Sequence, residues 1–144
     1  MKKVGEYTVR GVILDGNTER INLFDGRFDT GYKVVEFKVF PQNPLSSTTD
    51  VVGTLMTNDD GIGSPVWRAE DNGQIAWSGT YVAGTAAIFA PFEVIDPDNM
   101  IIEDLYVYIN NTSSDSSNYF IRMEKYELDD YQGALGMVRN RSQA

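Results

Sequence analysis

The chain is organised as short runs in which apolar and polar residues alternate, each closed by a turn signal, the pattern expected of β-strands. Residues 6–14 place Tyr7, Val9 and Ile13 on one face before Asp15-Gly16-Asn17 turns the chain. Residues 18–24 resume with Ile21 and Leu23, and Asp25-Gly26 turns it again. Asp-Gly is a strong hairpin signal because both residues tolerate positive φ. The clearest run is 31–40, where Val35, Phe37 and Val39 alternate with Glu36 and Lys38 and predict one dry face and one wet face. Pro41 and Pro44 end it, since proline cannot donate to a ladder. A further strand is expected over 50–57 (Val51, Val52, Leu55, Met56), leading into the longest turn-rich loop, 58–65. Two more follow, 74–78 with Trp77 and 86–95. Late in the chain, 101–109 alternates Ile101, Leu105, Val107 and Ile109 against Asp104, Tyr106 and Tyr108, with Glu103 a polar break in the apolar row. Finally, 118–128 carries Phe120, Tyr126 and Leu128 opposite Ile121 and Met123.

About eight strands at this spacing, with no helix-period stretch before Asp129, predict an all-β fold, an antiparallel sandwich or barrel. A jelly-roll-like β-sandwich is preferred to an immunoglobulin-like one, whose Cys-Trp-Cys signature cannot be built without cysteine. No repeat, heptad or linker divides residues 1–130, which read as a single domain. Residues 131–144 differ in kind. Ala134, Leu135, Met137 and Val138 suit one short amphipathic helix capped by Asp129 or Asp130, though Gly133 and Gly136 weaken it. The alternative is an extended arm in which Leu135, Met137 and Val138 are apolar anchors and Arg139 and Arg141 supply positive charge. Such a terminus needs something to hold it, and a partner is expected to do so.

Composition narrows the chemistry. The 144 residues contain no Cys and no His, which removes disulfides, thiolate nucleophiles, imidazole bases and the usual zinc and haem ligand sets. The formal charge is −9, from 12 basic and 21 acidic side chains. Lys2 and Lys3 at one end and Arg139 and Arg141 at the other leave residues 4–130 with 8 basic against 21 acidic groups. That body repels nucleic acid, whose binding needs clustered Lys and Arg. The acidity serves solubility, or else lets the basic termini reach onto an acidic neighbour. Residues 4–10 interrupt the apolar run a signal peptide requires, and no stretch approaches a membrane span, so synthesis in the cytosol without membrane contact is expected.

Several clusters invite a chemical reading. Asp96-Pro97-Asp98-Asn99, with Glu103 and Asp104 nearby, brings oxygen ligands together, making Asp96, Asp98 and Asn99 candidate calcium ligands. The EF-hand spacing is absent, and an Asp-Pro turn with Asn99 in a left-handed conformation is the simpler reading. Asn58-Asp59-Asp60-Gly61 reads first as a turn as well. Among the acids, nothing distinguishes Glu36, Glu93, Glu103 or Glu124 as a catalytic pair. The glycines at 61–63 and 133–136 lack the setting of a phosphate loop. Trp67 and Trp77 are candidates for stacking on a sugar, although core or interface packing is the preferred reading of such aromatics. The patterns Asn110-Asn111-Thr112, Asn111-Thr112-Ser113 and Asn140-Arg141-Ser142 satisfy the glycosylation rule, but without a secretory signal they read as accidental. No cofactor and no catalytic residue is expected.

Three stretches together carry a family likeness: Arg20-Ile21-Asn22-Leu23-Phe24-Asp25-Gly26-Arg27-Phe28-Asp29-Thr30-Gly31-Tyr32; Asp96-Pro97-Asp98-Asn99-Met100-Ile101-Ile102-Glu103-Asp104-Leu105-Tyr106-Val107; and Tyr119-Phe120-Ile121-Arg122-Met123-Glu124-Lys125-Tyr126 with the ending 133–143. In these the chain resembles small, acidic, all-β virion proteins of marine viruses and phages. The resemblance implies a non-enzymatic structural subunit of a virus particle, a capsid decoration, cement, vertex or tail accessory protein. Its partners would be copies of itself and other virion proteins. The rival expectation is a carbohydrate-binding or host-adhesion β-sandwich, with calcium assistance as one form of it.

Overall fold

The computed structural model describes residues 2–24, 26, 29–44, 48–58, 67–83 and 88–128. Among these lie eight strands and no helix: β1 (Lys2–Ile13), β2 (Thr18–Ile21), β3 (Thr30–Pro41), β4 (Thr49–Met56), β5 (Gln74–Ala83), β6 (Ile88–Ile95), β7 (Leu105–Asn111) and β8 (Ser117–Glu127). They pair antiparallel throughout, in a three-stranded sheet of order β1-β8-β3 and a five-stranded sheet of order β2-β7-β4-β5-β6. The fold is an antiparallel β-sandwich, as the alternating runs imply. A complete jelly roll sets sheets of order 1-8-3-6 and 2-7-4-5 face to face. Here the orders 1-8-3 and 2-7-4-5 occur, but β6 hydrogen-bonds to β5 instead of closing the sheet beside β3.

Between the sheets, alternate residues fill the core: Val34, Phe37, Val39, Tyr119, Ile121 and Met123 from one side, Val51, Leu55, Ala76, Leu105, Val107 and Ile109 from the other. The sheets approach most closely at Gly53. A Cβ there would lie 2.8 Å from Val39 Cγ1 and 3.1 Å from Phe37 Cζ, so Gly53→Ala overpacks the core at a cost of about 1–3 kcal/mol. The Tyr119 hydroxyl of β8 donates to Glu19 Oε1 of β2, in the other sheet, at 2.9 Å.

Three local expectations are corrected. The alternation over 31–40 points Val35 inward, yet Val34 is buried and Val35 is exposed. A β-bulge between Val34 and Glu36 shifts the register against β8 and reverses the faces before it. The run assigned to 101–109 begins its ladder only at Leu105, because Ile101 exchanges two backbone hydrogen bonds with Tyr32 of β3 (2.8 and 2.7 Å). Lys2 and Lys3, which one reading has reaching onto an acidic neighbour, lie in β1, and Lys3 Nζ sits 2.5 Å from Glu6 and 2.8 Å from Glu124 of the same chain. Tyr7 lies opposite Met123 but stays half-exposed, packed edge-on against Tyr32.

Candidate functional site

The residues proposed as calcium ligands are engaged by the fold itself. Asp96 Oδ1 accepts the Asp98 amide at 2.9 Å, and the Asp96 carbonyl accepts both the Asn99 amide and Asn99 Nδ2, forming the turn after β6. Asn99 is 2% exposed. Its Oδ1 accepts the Val34 amide at 2.8 Å while its Nδ2 donates to the Val34 carbonyl at 3.1 Å. One side-chain amide thus imitates a strand residue against β3. The positive φ expected at Asn99 does not occur; among non-glycine described residues Ser114 alone has it. Asp104 is likewise occupied, pairing with the Arg20 guanidinium and accepting the Leu23 amide at 3.3 Å. Among the described residues, no three carboxylates converge as a metal would require.

Asn99 belongs to a wider arrangement that sequence reasoning missed. The free edge of β3 faces the place where a fourth strand would pair. Tyr32 bonds there to the Ile101 backbone, Val34 to the Asn99 amide, Phe37 N–H to Glu93 Oε2 at 2.8 Å, and the Val39 carbonyl to Thr80 Oγ1 at 2.6 Å. No spacing rule links these partners, since they come from β5, β6 and the chain after β6. Glu93, considered as an acid, is thereby a structural acceptor.

The two tryptophans part company. Trp77 is 9% exposed, and its indole N–H donates to Gln74 Oε1 at 2.8 Å. Trp67 is 38% exposed and stacks on Phe92, with ring centroids 5.4 Å apart and planes at 15°. Its ring also passes 3.6 Å from a Cβ built on Gly79, so it lies over the outer face of the five-stranded sheet. Phe92, Val94 and Tyr81 are exposed on the same face. Around the open side of the sandwich, Phe92 and Phe40 border one cleft of about 310 Å³, together with Lys38, Val39, Thr80 and Pro91. On its other flank Phe40 meets Val12 and Phe120 in a second hollow, of about 330 Å³, over the three-stranded sheet. An apolar belt therefore runs from Trp67 across Phe92 and Phe40 to Val12.

No family model, no curated protein and no solved structure matches the chain.

The three-stranded sheet also carries exposed ion pairs. Lys3, hydrogen-bonded to Glu124 and Glu6, is held protonated well beyond the usual lysine range, and both carboxyls are held below theirs. Glu36 does the same for Lys38. Burial, then the bond to Glu19, pushes the Tyr119 phenol up to about 12. Asn111, one of the glycosylation-pattern residues, is buried, with Nδ2 donating to Ser117 Oγ at 3.0 Å and Oδ1 accepting from Thr49 and Ser113. No helix among the described residues is long and apolar enough to cross a membrane. Leu135, Met137, Val138, Arg139, Arg141 and the third glycosylation pattern at Asn140 lie outside the described residues.

Proposed function

We propose that this protein is a non-enzymatic structural component of a virus particle, a capsid decoration, cement or vertex protein, assembling through its β-sandwich surfaces and residues 131–144. The observation that carries this reading is the apolar belt of Trp67, Phe92, Phe40 and Val12 on an otherwise acidic body. Exposed apolar surface of this continuity marks contact with other macromolecules. The side chains that invited a chemical reading, Asp96, Asn99, Glu93 and Asp104, are meanwhile bonded to the fold's own backbone. Without cysteine or histidine, the remaining inventory suits contact better than reaction.

A mass-spectrometric inventory of purified particles tests the proposal. Recovery at a fixed ratio to the main shell protein is expected, and recovery from lysate alone would overturn it. Deleting 131–144 is expected to leave a folded protein that no longer joins the particle.

The exposed Trp67–Phe92 stack favours one second reading, a carbohydrate-binding or adhesion surface. A glycan screen in which binding depends on Trp67 but not on Trp77 would favour it.

A further inference from the structure

We propose that β1 pairs antiparallel with β1 of a second copy of this chain, about a two-fold axis at Thr8, joining two three-stranded sheets into one. This rests on the assembly reading above and names a partner and its seat. The sheet edges differ in what protects them. β3 is capped by Ile101, Asn99, Glu93 and Thr80, β2 is four residues long, and β6 carries Pro91. β1 is twelve residues long, and from Gly5 to Ile13 it holds neither proline nor lysine. Among the described residues, nothing hydrogen-bonds to the backbone along its outer edge.

Register identifies the groups this edge offers. Phe37 and Val39 turn their backbone groups away from β8, so Lys38 between them bonds to β8, opposite Phe120. Phe120 therefore faces β3, and its neighbours Tyr119 and Ile121 face β1, opposite Gly11 and Val9. By the same alternation Glu6, Thr8 and Arg10 direct their N–H and C=O groups to the free edge.

Charge then selects one register. With Thr8 opposite the partner's Thr8, Glu6 opposes the partner's Arg10, and Arg10 the partner's Glu6. Registers centred on Glu6 or Arg10 set like charges face to face, and those centred on Tyr7 or Val9 leave both charges unmatched. Among the described residues Arg10 has no ion-pair partner, while Glu6, held by Lys3 and Arg122, keeps a half-exposed carboxylate. On the other face of the strand Tyr7, 49% exposed, opposes the partner's Val9, so the pairing also covers apolar surface. The bulge between Lys3 and Gly5 ends the regular ladder, with Gly5 opposite the partner's Gly11.

The absence of native cysteine makes the register directly testable in the full chain. A hydrogen-bonded antiparallel pair holds its Cα atoms about 5.5 Å apart, within disulfide reach, whereas the two copies of position 12 would lie about 27 Å apart. Thr8→Cys is therefore expected to form a disulfide dimer under mild oxidation at least about tenfold faster than Val12→Cys, and equal rates overturn the inference. Independently, Glu6→Arg and Arg10→Glu are each expected to convert the dimer to monomer in sedimentation velocity, with the circular dichroism spectrum unchanged. An equimolar mixture of the two variants is expected to restore the dimer, because the mixed pair meets only opposite charges. A monomeric wild-type chain overturns the inference, as do variants that stay dimeric alone or a mixture that stays monomeric. A monomer still recovered with particles would defeat this pairing alone. A Thr8-centred dimer never found with particles would support it and defeat only the virion reading.

Discussion

The Phe37 amide of β3 donates to the Glu93 carboxylate of β6 at 2.8 Å, a hydrogen bond between strands of different sheets. It stands where a ladder would have run had β6 paired with β3. Asn99 and Thr80 complete the substitution, at Val34 and Val39. An unpaired edge is a template for unwanted strand addition, and side chains capping it remove that template.

Glu93→Ala leaves the Phe37 amide without its acceptor. A loss of about 1–2 kcal/mol is expected, the cost of orphaning a half-buried donor. Glu93→Gln keeps an acceptor oxygen and is expected to recover most of it. Thermal unfolding followed by circular dichroism compares the two, and equal losses would assign the effect to charge instead.

Asn99 supports β3 through a donor and an acceptor at once. Asn99→Asp retains the acceptor and loses the donor, while Asn99→Ala loses both and opens a void. Each is expected to cost about 2–4 kcal/mol, the aspartate because its buried carboxylate would face the Val34 and Asp96 carbonyl oxygens. Because the Asn99 oxygen is committed to Val34, millimolar calcium is expected to leave the melting temperature unchanged. A calcium-dependent rise abolished by Asn99→Ala would return the turn to the metal-binding reading.

Tyr119 is buried and bonded to Glu19, and its phenol titrates near 12 in the folded protein against an ordinary value near 10. A raised value means the folded state holds the proton more tightly than the unfolded chain. The corresponding stability is complete below about pH 10 and drains away as pH rises towards about 12. Tyr119→Phe is expected to flatten that alkaline loss while costing stability at neutral pH. Gly11→Ala is expected to destabilise as well, since its Cβ would lie 2.8 Å from the Tyr119 hydroxyl oxygen. Ultraviolet tyrosinate titration with denaturant melts between pH 8 and 12 checks both expectations.

Lys3 acts at the acid end. It holds Glu6 and Glu124 below their ordinary range, so their contribution is present above the unfolded carboxylate range and is lost as pH falls through the folded values. Lys3→Ala is expected to flatten the acid limb of the stability curve. The groups are largely exposed, so added salt is expected to reduce the difference between the two proteins. Denaturant midpoints at low and high salt across pH 3 to 6 test it.

Much of the strand order was legible from residues alone. The runs at 31–40, 50–57 and 118–128 coincide closely with β3, β4 and β8, because period-two alternation is a local consequence of one buried face. Asp15-Gly16 supplied its turn, with Gly16 at a φ of 74°. The reversal at Val34 and Val35 was not legible, since a bulge is set by pairing with a distant strand. Trp67 and Trp77 look equivalent along the chain. Burial separates them only because β5 is enclosed by its neighbours whereas Trp67 precedes the strand.

By itself, then, the sequence determined that this chain builds antiparallel sheets with an acidic exterior and no thiol or imidazole chemistry, because these follow from local alternation and side-chain inventory. Tertiary structure alone decided that β6 joins β5, that Glu93, Asn99 and Thr80 cap β3, and that Phe40 and Phe92 meet across a cleft. The caps and the cleft join residues roughly 40 to 65 positions apart. They arise from how two twisted sheets close on one core, for which no local pattern codes.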